Sequence, residues 1–282
     1  MKVQYYYIIN FKIVNIIYSR VRIGVGDVRK LRAKVIISII LFAAIISVSL
    51  ILKNEESVET IGEVSELPIY SVKREDKVAA ITFDINWAKE ENLYIILDIL
   101  DKYDTKATFF IMGAWVNQND ENVEKLKAIV ERGHEIGNHS YLHPNFTKIG
   151  DDKIREELRK TNEIIEKLTG IRPVLFRFPS GDYNAKANRV VLNEGFISIQ
   201  WDCDSVDWRE EGAEIEYSRI KENLKPGSIL LFHNNAKYTP ENLERLLKDY
   251  QKKEYKFVKV GDLIYNKNYT IEKDGTQIKK II

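Results

Sequence analysis

Apolar residues are distributed along this chain in three patterns. Residues 35–52 form an unbroken run of eighteen without a charge, VIISIILFAAIISVSLIL. At ~1.5 Å per residue such a run reaches about 27 Å, close to the thickness of a hydrocarbon core. Residues 53–74 are polar and lack periodicity, which predicts a linker. From residue 77 onward short apolar runs alternate with amphipathic stretches. The run at 77–84, KVAAITFD, is continuous rather than alternating, as a strand buried on both faces requires. Runs at 106–112, 134–138, 174–178, 196–201, 228–232 and 256–260 predict further strands.

Two helices stand out between them. Over 152–169 the positions Ile154, Leu158, Thr161, Ile165 and Leu168 share one face, and Gly170 offers a left-handed cap. Near the end, Thr239 and Pro240 supply a cap and a first-turn proline, followed by the stripe Leu243, Leu246, Leu247 and Tyr250. About seven β-α units over roughly 200 residues predict an α/β fold, a barrel short of the full eight units. An open doubly wound sheet is the alternative, but no glycine-rich phosphate loop follows the first strand.

Charge sharpens the division of the chain. The net charge is only +1 over 282 residues, yet residues 1–34 hold eight Lys or Arg against Asp27 alone. The remainder is therefore mildly acidic, which argues against nucleic acid as a partner. Arg29, Lys30, Arg32 and Lys34 precede the long apolar run, and Glu55, Glu56 and Glu59 follow it. Positive charge stays inside, so the expectation is a single-pass anchor in the cell membrane, held by lipid, with the C-terminal part outside. A cleaved signal peptide is the rival, but the run begins late and no small-x-small site follows closely. The single cysteine, Cys203, rules out an internal disulfide, so an exported fold must rest on its core. The reading divides the chain into a basic cytoplasmic tail (1–34), an anchor (35–52), a linker (53–74), a folded domain (75–265) and a C-terminal tail (266–282).

Candidate chemistry gathers at the ends of the predicted strands. His139 and His143 lie four apart, a spacing that lets one turn of backbone aim both imidazoles at a single point, as metal ligands require. Asp84 ends the first strand, Arg177 the fourth, Asp204 follows the fifth and His233 the sixth. Each has an ordinary explanation by itself, such as a capping Asp or a His bonded to backbone. In a barrel, however, the strand C-termini share one mouth, and that is where function collects.

The same residues carry a resemblance. Residues 77–260 resemble the NodB-homology polysaccharide deacetylases, carbohydrate esterase family four. Thr82-Phe83-Asp84 is similar to the opening of the first motif, T-F-D-D-G-P, and the segment from His139 to Pro144 (HSYLHP) matches the second, H-[ST]-x-x-H-P. Arg177 to Gly181 (RFPSG) is similar to the third, R-P-P-Y-G. Asp204 to Trp208 (DSVDW) matches the fourth, and Ile229 to His233 (ILLFH) the fifth.

The resemblance implies a distorted (β/α) barrel and removal of acetyl groups from N-acetylated sugars. It implies a divalent metal, zinc or similar, at His139 and His143, Asp84 as the base for water, and His233 as the acid for the departing amine, its ring held by a carboxylate. Asp204 is similarly placed to fix Arg177, and a backbone N–H near Ser180 would assist at the oxyanion. Ile229 and Leu231 line an acetyl pocket or serve as strand core. Trp208 and Tyr183 stack on sugar or pack.

One departure stands out. Where the family places a second aspartate as third metal ligand this chain has Ile85, followed by Asn86-Trp87 in place of Gly-Pro, a pattern that resembles the sporulation-associated PdaB-like branch. That branch implies spore-cortex or cell-wall glycan (peptidoglycan) as substrate, and the missing ligand implies a weaker metal site. The expected function is a membrane-anchored wall-glycan deacetylase; the alternative is a degenerate glycan-binding protein of the same fold.

Overall fold

The fold is built outward from one strand, β2 (Val78–Ile85), whose neighbours on both sides run parallel to it. The computed structural model describes residues 67–280, Lys89 excepted. The expected basic tail and anchor, and the linker up to residue 66, lie outside the described residues; among those described, no helix is long and apolar enough to cross a membrane.

In chain order the strands are β1 (Ser71–Val72), β2, β3 (Thr108–Ile111), β4 (Glu135–Asn138), β5 (Leu175–Phe176), β6 (Ile197–Ser198), β7 (Cys203–Asp204), β8 (Ile229–His233), β9 (Lys256–Val258), β10 (Tyr269–Ile271) and β11 (Thr276–Lys279). The helices are α1 (Leu93–Lys102), α2 (Gly113–Val116), α3 (Asp120–Glu131), α4 (Asp151–Thr169), α5 (Ala185–Asn193), α6 (Ala213–Asn223), α7 (Thr239–Gln251) and α8 (Val260–Leu263). The main sheet has the order β6-β5-β4-β3-β2-β8-β7, and β9 pairs with the start of β2. Every ladder in it is parallel. The sheet order ends at β6 and β7, so the result is a half-barrel of about seven strands rather than a closed ring, in line with the expected α/β fold.

Strand alternation divides the interior. Ile81, Phe83 and Ile85 of β2 point outward into the cluster shared with Ile96, Leu97 and Leu246 of the helices. Ala80 points inward and joins Phe110, Leu175, Ile229 and Val260. Further along the same inner face come Thr82 and Asp84, buried but in neither cluster. The inside of the half-barrel is thus apolar at one end and polar at the mouth. Fully burying one such Leu, Ile or Phe contributes roughly 1.5–3 kcal/mol, which is what allows the mouth to hold buried charge.

The segment at 69–72 works at the gap between the sheet's ends. Ile69 pairs with Ile199 just past β6, and Ser71 with Ser228 just before β8. Behind it, β1 runs beside β11 and β11 beside β10. The expected linker (53–74) and tail (266–282) therefore each contribute a strand or more to folded structure, and they do so by pairing with each other. Gly227 makes the approach possible: at φ +83 a Cβ would fall on the carbonyl oxygen of Val72.

Helix α4 ends at Gly170 in the left-handed region and buries Ile154, Leu158, Thr161 and Ile165. Helix α7 buries Leu243, Leu246, Leu247 and Tyr250, with proline in its first turn. Its cap differs from the expectation. Tyr238 occupies the N-cap without a side-chain bond, and the Thr239 hydroxyl donates instead to Asp207, for a reason that appears at the site.

Candidate active site

Asp84 ends the inner face of β2, and the buried guanidinium of Arg177 reaches it from the end of β5. Arg177 Nη1 donates to Asp84 Oδ1 at 2.9 Å and to Thr82 Oγ1 at 2.7 Å, while Nη2 donates to the Gln200 carbonyl at 3.1 Å. Its planar head lies 4.1 Å from the centroid of the Phe110 ring, which keeps it desolvated and in one orientation. Burial pushes the Asp84 carboxyl pKa up, but the charges of His139, Arg177 and His233 and the Arg177 hydrogen bond outweigh it, so Asp84 is held below the usual carboxylate range. The group is therefore a fixed carboxylate.

The two histidines sit on the loop leaving β4. His139 is fully buried; its Nδ1 donates to the Arg177 carbonyl at 3.0 Å, so Nε2 carries the lone pair and points toward Asp84 Oδ2 at 3.5 Å. His143 meets it edge-on, ring centroids 4.9 Å apart. Burial pushes the His139 pKa down to about 4, against the opposing pull of Asp84, and burial lowers that of His143 as well.

This loop has strained backbone: Ser140 and His143 both have positive φ, 64 and 59. What holds it is a set of hydrogen bonds from behind. Glu157, fully buried on α4, accepts from the backbone N–H groups of Tyr141 (2.9 Å) and Leu142 (2.7 Å). Asn138 Oδ1 accepts from Ser140 N, and Asn138 Nδ2 donates to Asn162 and to the Leu158 carbonyl. Ser140 Oγ accepts from His143 N at 3.0 Å. Small side chains matter here as well: at Gly137 a Cβ would strike the Phe110 ring that supports Arg177.

His233 ends β8 in direct register with Asp84 on β2. Its Nδ1 donates to Asp207 Oδ1 at 2.7 Å and its backbone N to Asp207 Oδ2 at 2.8 Å. Asp207 is fully buried, and the Thr239 hydroxyl completes its shell, which explains why that threonine does not cap its helix. Burial lowers the His233 pKa, but the Asp207 hydrogen bond and the charges of Asp207, Asp84 and Asp204 raise it further, so the net shift is upward. With Nδ1 occupied, Nε2 is the atom left to give up a proton.

The arrangement places an oriented carboxylate and an oriented imidazole with a raised pKa side by side at the mouth of a half-barrel, with two further imidazoles of lowered pKa next to them. The family profile for polysaccharide deacetylase matches residues 71–197. The peptidoglycan-N-acetylmuramic acid deacetylase PdaA of Bacillus subtilis is 30% identical over 204 residues, 70% of this chain and 75% of PdaA. This chain belongs to the polysaccharide deacetylase family. The uncharacterised protein YlxY of Bacillus subtilis is 34% identical over 197 residues, 70% of this chain; the chain spans only 60% of YlxY. Among solved structures, the wild-type BA3943 of Bacillus anthracis, described as a pseudoenzyme of carbohydrate esterase family four, superposes with TM-score 0.66 at 34% identity, covering 71% of this chain and 69% of that one. A mutant of BA3943 with restored enzymatic activity is equally similar, at TM-score 0.66 and 35% identity.

Polysaccharide deacetylases of this family generally use a metal, so the fit of these residues to one can be tested. In favour, His139 Nε2 is buried without a hydrogen-bond partner, and both imidazoles are kept in the neutral form that ligates. Against, the third ligand position is Ile85, whose side chain is fully buried in the outer core on the face opposite Asp84. Among the described residues no group of three or more His, Cys, Asp or Glu is arranged to hold a metal ion. Catalytic zinc takes three protein ligands. The set present falls one short.

The remaining motif residues of this polysaccharide deacetylase fall into different roles. Asp204 does not bond Arg177, as the resemblance had implied. Its Oδ2 accepts from the Trp201 indole at 3.0 Å and its Oδ1 from Val206 N at 2.7 Å, because β7 aims it at the strained turn through Val206 (φ 55). Its influence on Arg177 runs through Trp201, which flanks the guanidinium, and through its charge. Ser180 is exposed in the short turn after Arg177, at φ 55. Ile229 lies in the inner core away from the mouth, while Leu231, on the same face as His233, is buried outside that cluster. Trp208 is exposed, and Tyr183 packs 5.4 Å from Phe178 and accepts a hydrogen bond from the Tyr70 hydroxyl at 3.1 Å. His134 is remote from the mouth, its Nδ1 accepting from Ala107 N.

Sequence reasoning gave Thr82, Glu157, Gln200 and Asp207 no role of their own at the site and took Thr239 for a helix cap. For Glu157 a signal was present: a carboxylate lying between Ile154 and Thr161 on the apolar face of an amphipathic helix. For Asp207 the signal was its place inside the fourth motif.

Proposed function

We propose that the chain hydrolyses N-acetyl groups of cell-wall glycan, peptidoglycan being the substrate that the relatives' names support. The single observation behind this is the pairing of Asp84 with His233 across adjacent strands, each oriented by its own buried partner. Asp84 takes a proton from water as the oxygen bonds to the acetamide carbon. Arg177 keeps that carboxylate ionised and aimed. As the tetrahedral adduct collapses and the C–N bond breaks, His233 Nε2 delivers a proton to the nitrogen, leaving acetate and a free amine. Asp207 stabilises the imidazolium before transfer. Leu231 forms a wall for the acetyl methyl, and a backbone donor at the Ser180 turn serves the oxyanion. A divalent ion at His139 and His143 is held weakly, for want of a third ligand.

The PdaB-like pattern at Ile85-Asn86-Trp87 supports wall or spore-cortex glycan as the substrate in this reading. Residues 35–52 anchor it in the cell membrane with the domain outside. If so, the full chain fractionates with membranes and is released by deleting residues 1–52; recovery of the full chain in the soluble fraction refutes the anchor. For the chemistry, acetate release by the full-length chain from peptidoglycan should vanish in Asp84→Asn while glycan binding persists. Undiminished release by that variant refutes the mechanism.

A second reading has specific support. The burial of Ile85 in the outer core removes a ligand, and BA3943, a structural relative, is a pseudoenzyme. The cleft would then grip glycan without cleaving it, and the wild-type chain would bind peptidoglycan and release no acetate under any divalent ion.

A further inference from the structure

The mouth carries aromatic side chains that the mechanism does not use, and most are already engaged. Tyr183 is held by Tyr70 and Phe178. Trp201 is bonded by Asp204 and flanks Arg177. Trp208, 58% exposed, has the Arg209 guanidinium 4.9 Å over its ring. Trp87 differs. It is 44% exposed, and among the described residues no aromatic ring or cation lies against its indole. A tryptophan partly in water keeps a large apolar surface that a ligand could cover, and its place beside the loop of the acid puts that surface within reach of the cleft.

The backbone that carries this indole is tied down. Asn234 Oδ1 accepts from Asn86 N at 3.1 Å, Asn235 Nδ2 donates to the Trp87 carbonyl at 3.3 Å, and Asn92 N donates to the Asn234 carbonyl at 2.8 Å. Asn234 Nδ2 also donates to Glu91 at 2.6 Å, and Glu91 is ion-paired to the buried Lys125. These bonds join the loop leaving Asp84 to the loop leaving His233. Trp87 therefore stands on a hydrogen-bonded clasp joining the loop that follows the base to the loop that follows the acid, with its side chain partly open to solvent. Such a pre-ordered aromatic face suits a ligand that presents flat C–H surface edged by hydroxyls, which is the chemistry of a pyranose ring.

We propose that Trp87 is the stacking platform for a sugar ring of the glycan chain, and so a specificity-determining residue of the cleft. The inference rests on glycan occupying the cleft, as proposed above, but not on its hydrolysis. The test is calorimetric titration of the full-length chain with a tetramer of N-acetylglucosamine, in wild-type and Asp84→Asn backgrounds. Trp87→Ala is expected to weaken binding about tenfold in both, and Trp87→Phe by no more than about threefold. Equal affinity of Trp87→Ala and its parent overturns the proposal, as does a Phe variant as weak as the Ala variant, or absence of binding by both parents. Failure of acetate release with Trp87-dependent binding intact would refute the hydrolase and leave this inference standing.

Discussion

The two sides of the mouth are finished to different degrees. On the β8 side, His233, Asp207 and Thr239 form a closed set in which each polar group of Asp207 has a partner. On the β2 and β4 side, Asp84 is fixed by Arg177, but His139 Nε2 has no partner and the next position along β2 is an isoleucine facing the helices. Proton delivery is fully equipped, whereas the place for an ion is two imidazoles and a gap. The difference is one of completeness: the proton-transfer pair has its supporting partners in place, while the ligand set expected for a metal is one residue short.

The comparison breaks most readily on the finished side. His233→Ala should lower acetate release by about a thousandfold, the usual scale for losing a general acid; a loss under tenfold in initial rates would remove His233 from the chemistry. On the unfinished side, Ile85→Asp should destabilise the fold by ~3 kcal/mol or more in urea unfolding, since the carboxylate would be buried among apolar neighbours without a partner. If that variant instead keeps its stability and binds zinc tightly, the position faces the mouth after all.

Glu157→Ala leaves the N–H groups of Tyr141 and Leu142 without their acceptor and should cost about 2 kcal/mol in the same experiment. Asp207→Asn should slow acetate release by about tenfold or somewhat more and also change its pH profile. His233 acts in its protonated form, so the rate falls as pH rises through its raised pKa; removing the Asp207 charge lowers that pKa and moves the decline to lower pH. The stability contribution follows the same sign: a raised folded-state pKa stabilises below the unfolded value, and the gain is lost as pH rises through the folded one. An unshifted alkaline limb in Asp207→Asn would disconnect the pair.

How much of this was legible in the sequence depends on whether a feature is local. Helices 152–169 and 239–251 could be read because each buries one continuous stripe. The strand ends bearing Asp84, His139, Arg177 and His233 could be read because apolar runs end there. Strands β5 and β6 fall inside the apolar runs at 174–178 and 196–201, whereas β7, only two residues long, leaves no periodic signal of its own. The contact between β1 and β11 joins residues as distant as Ser71 and Thr276, whose hydroxyls meet at 3.2 Å, and nothing near either one announces the other. Supporting roles follow the same rule. Asp204 and Asp207 share a motif, and only the path of the chain through the left-handed turn at Val206 decides that the second, and not the first, reaches His233.

The most direct measurement is acetate release from purified peptidoglycan by the full-length chain, with and without a chelator, beside a pull-down of the same chain on the same glycan. The account predicts that acetate appears, that chelation reduces its release without eliminating it, and that binding is unaffected. Binding with no acetate under any divalent ion would contradict it, and would show that the paired Asp84 and His233 have been kept in a protein that only holds its glycan.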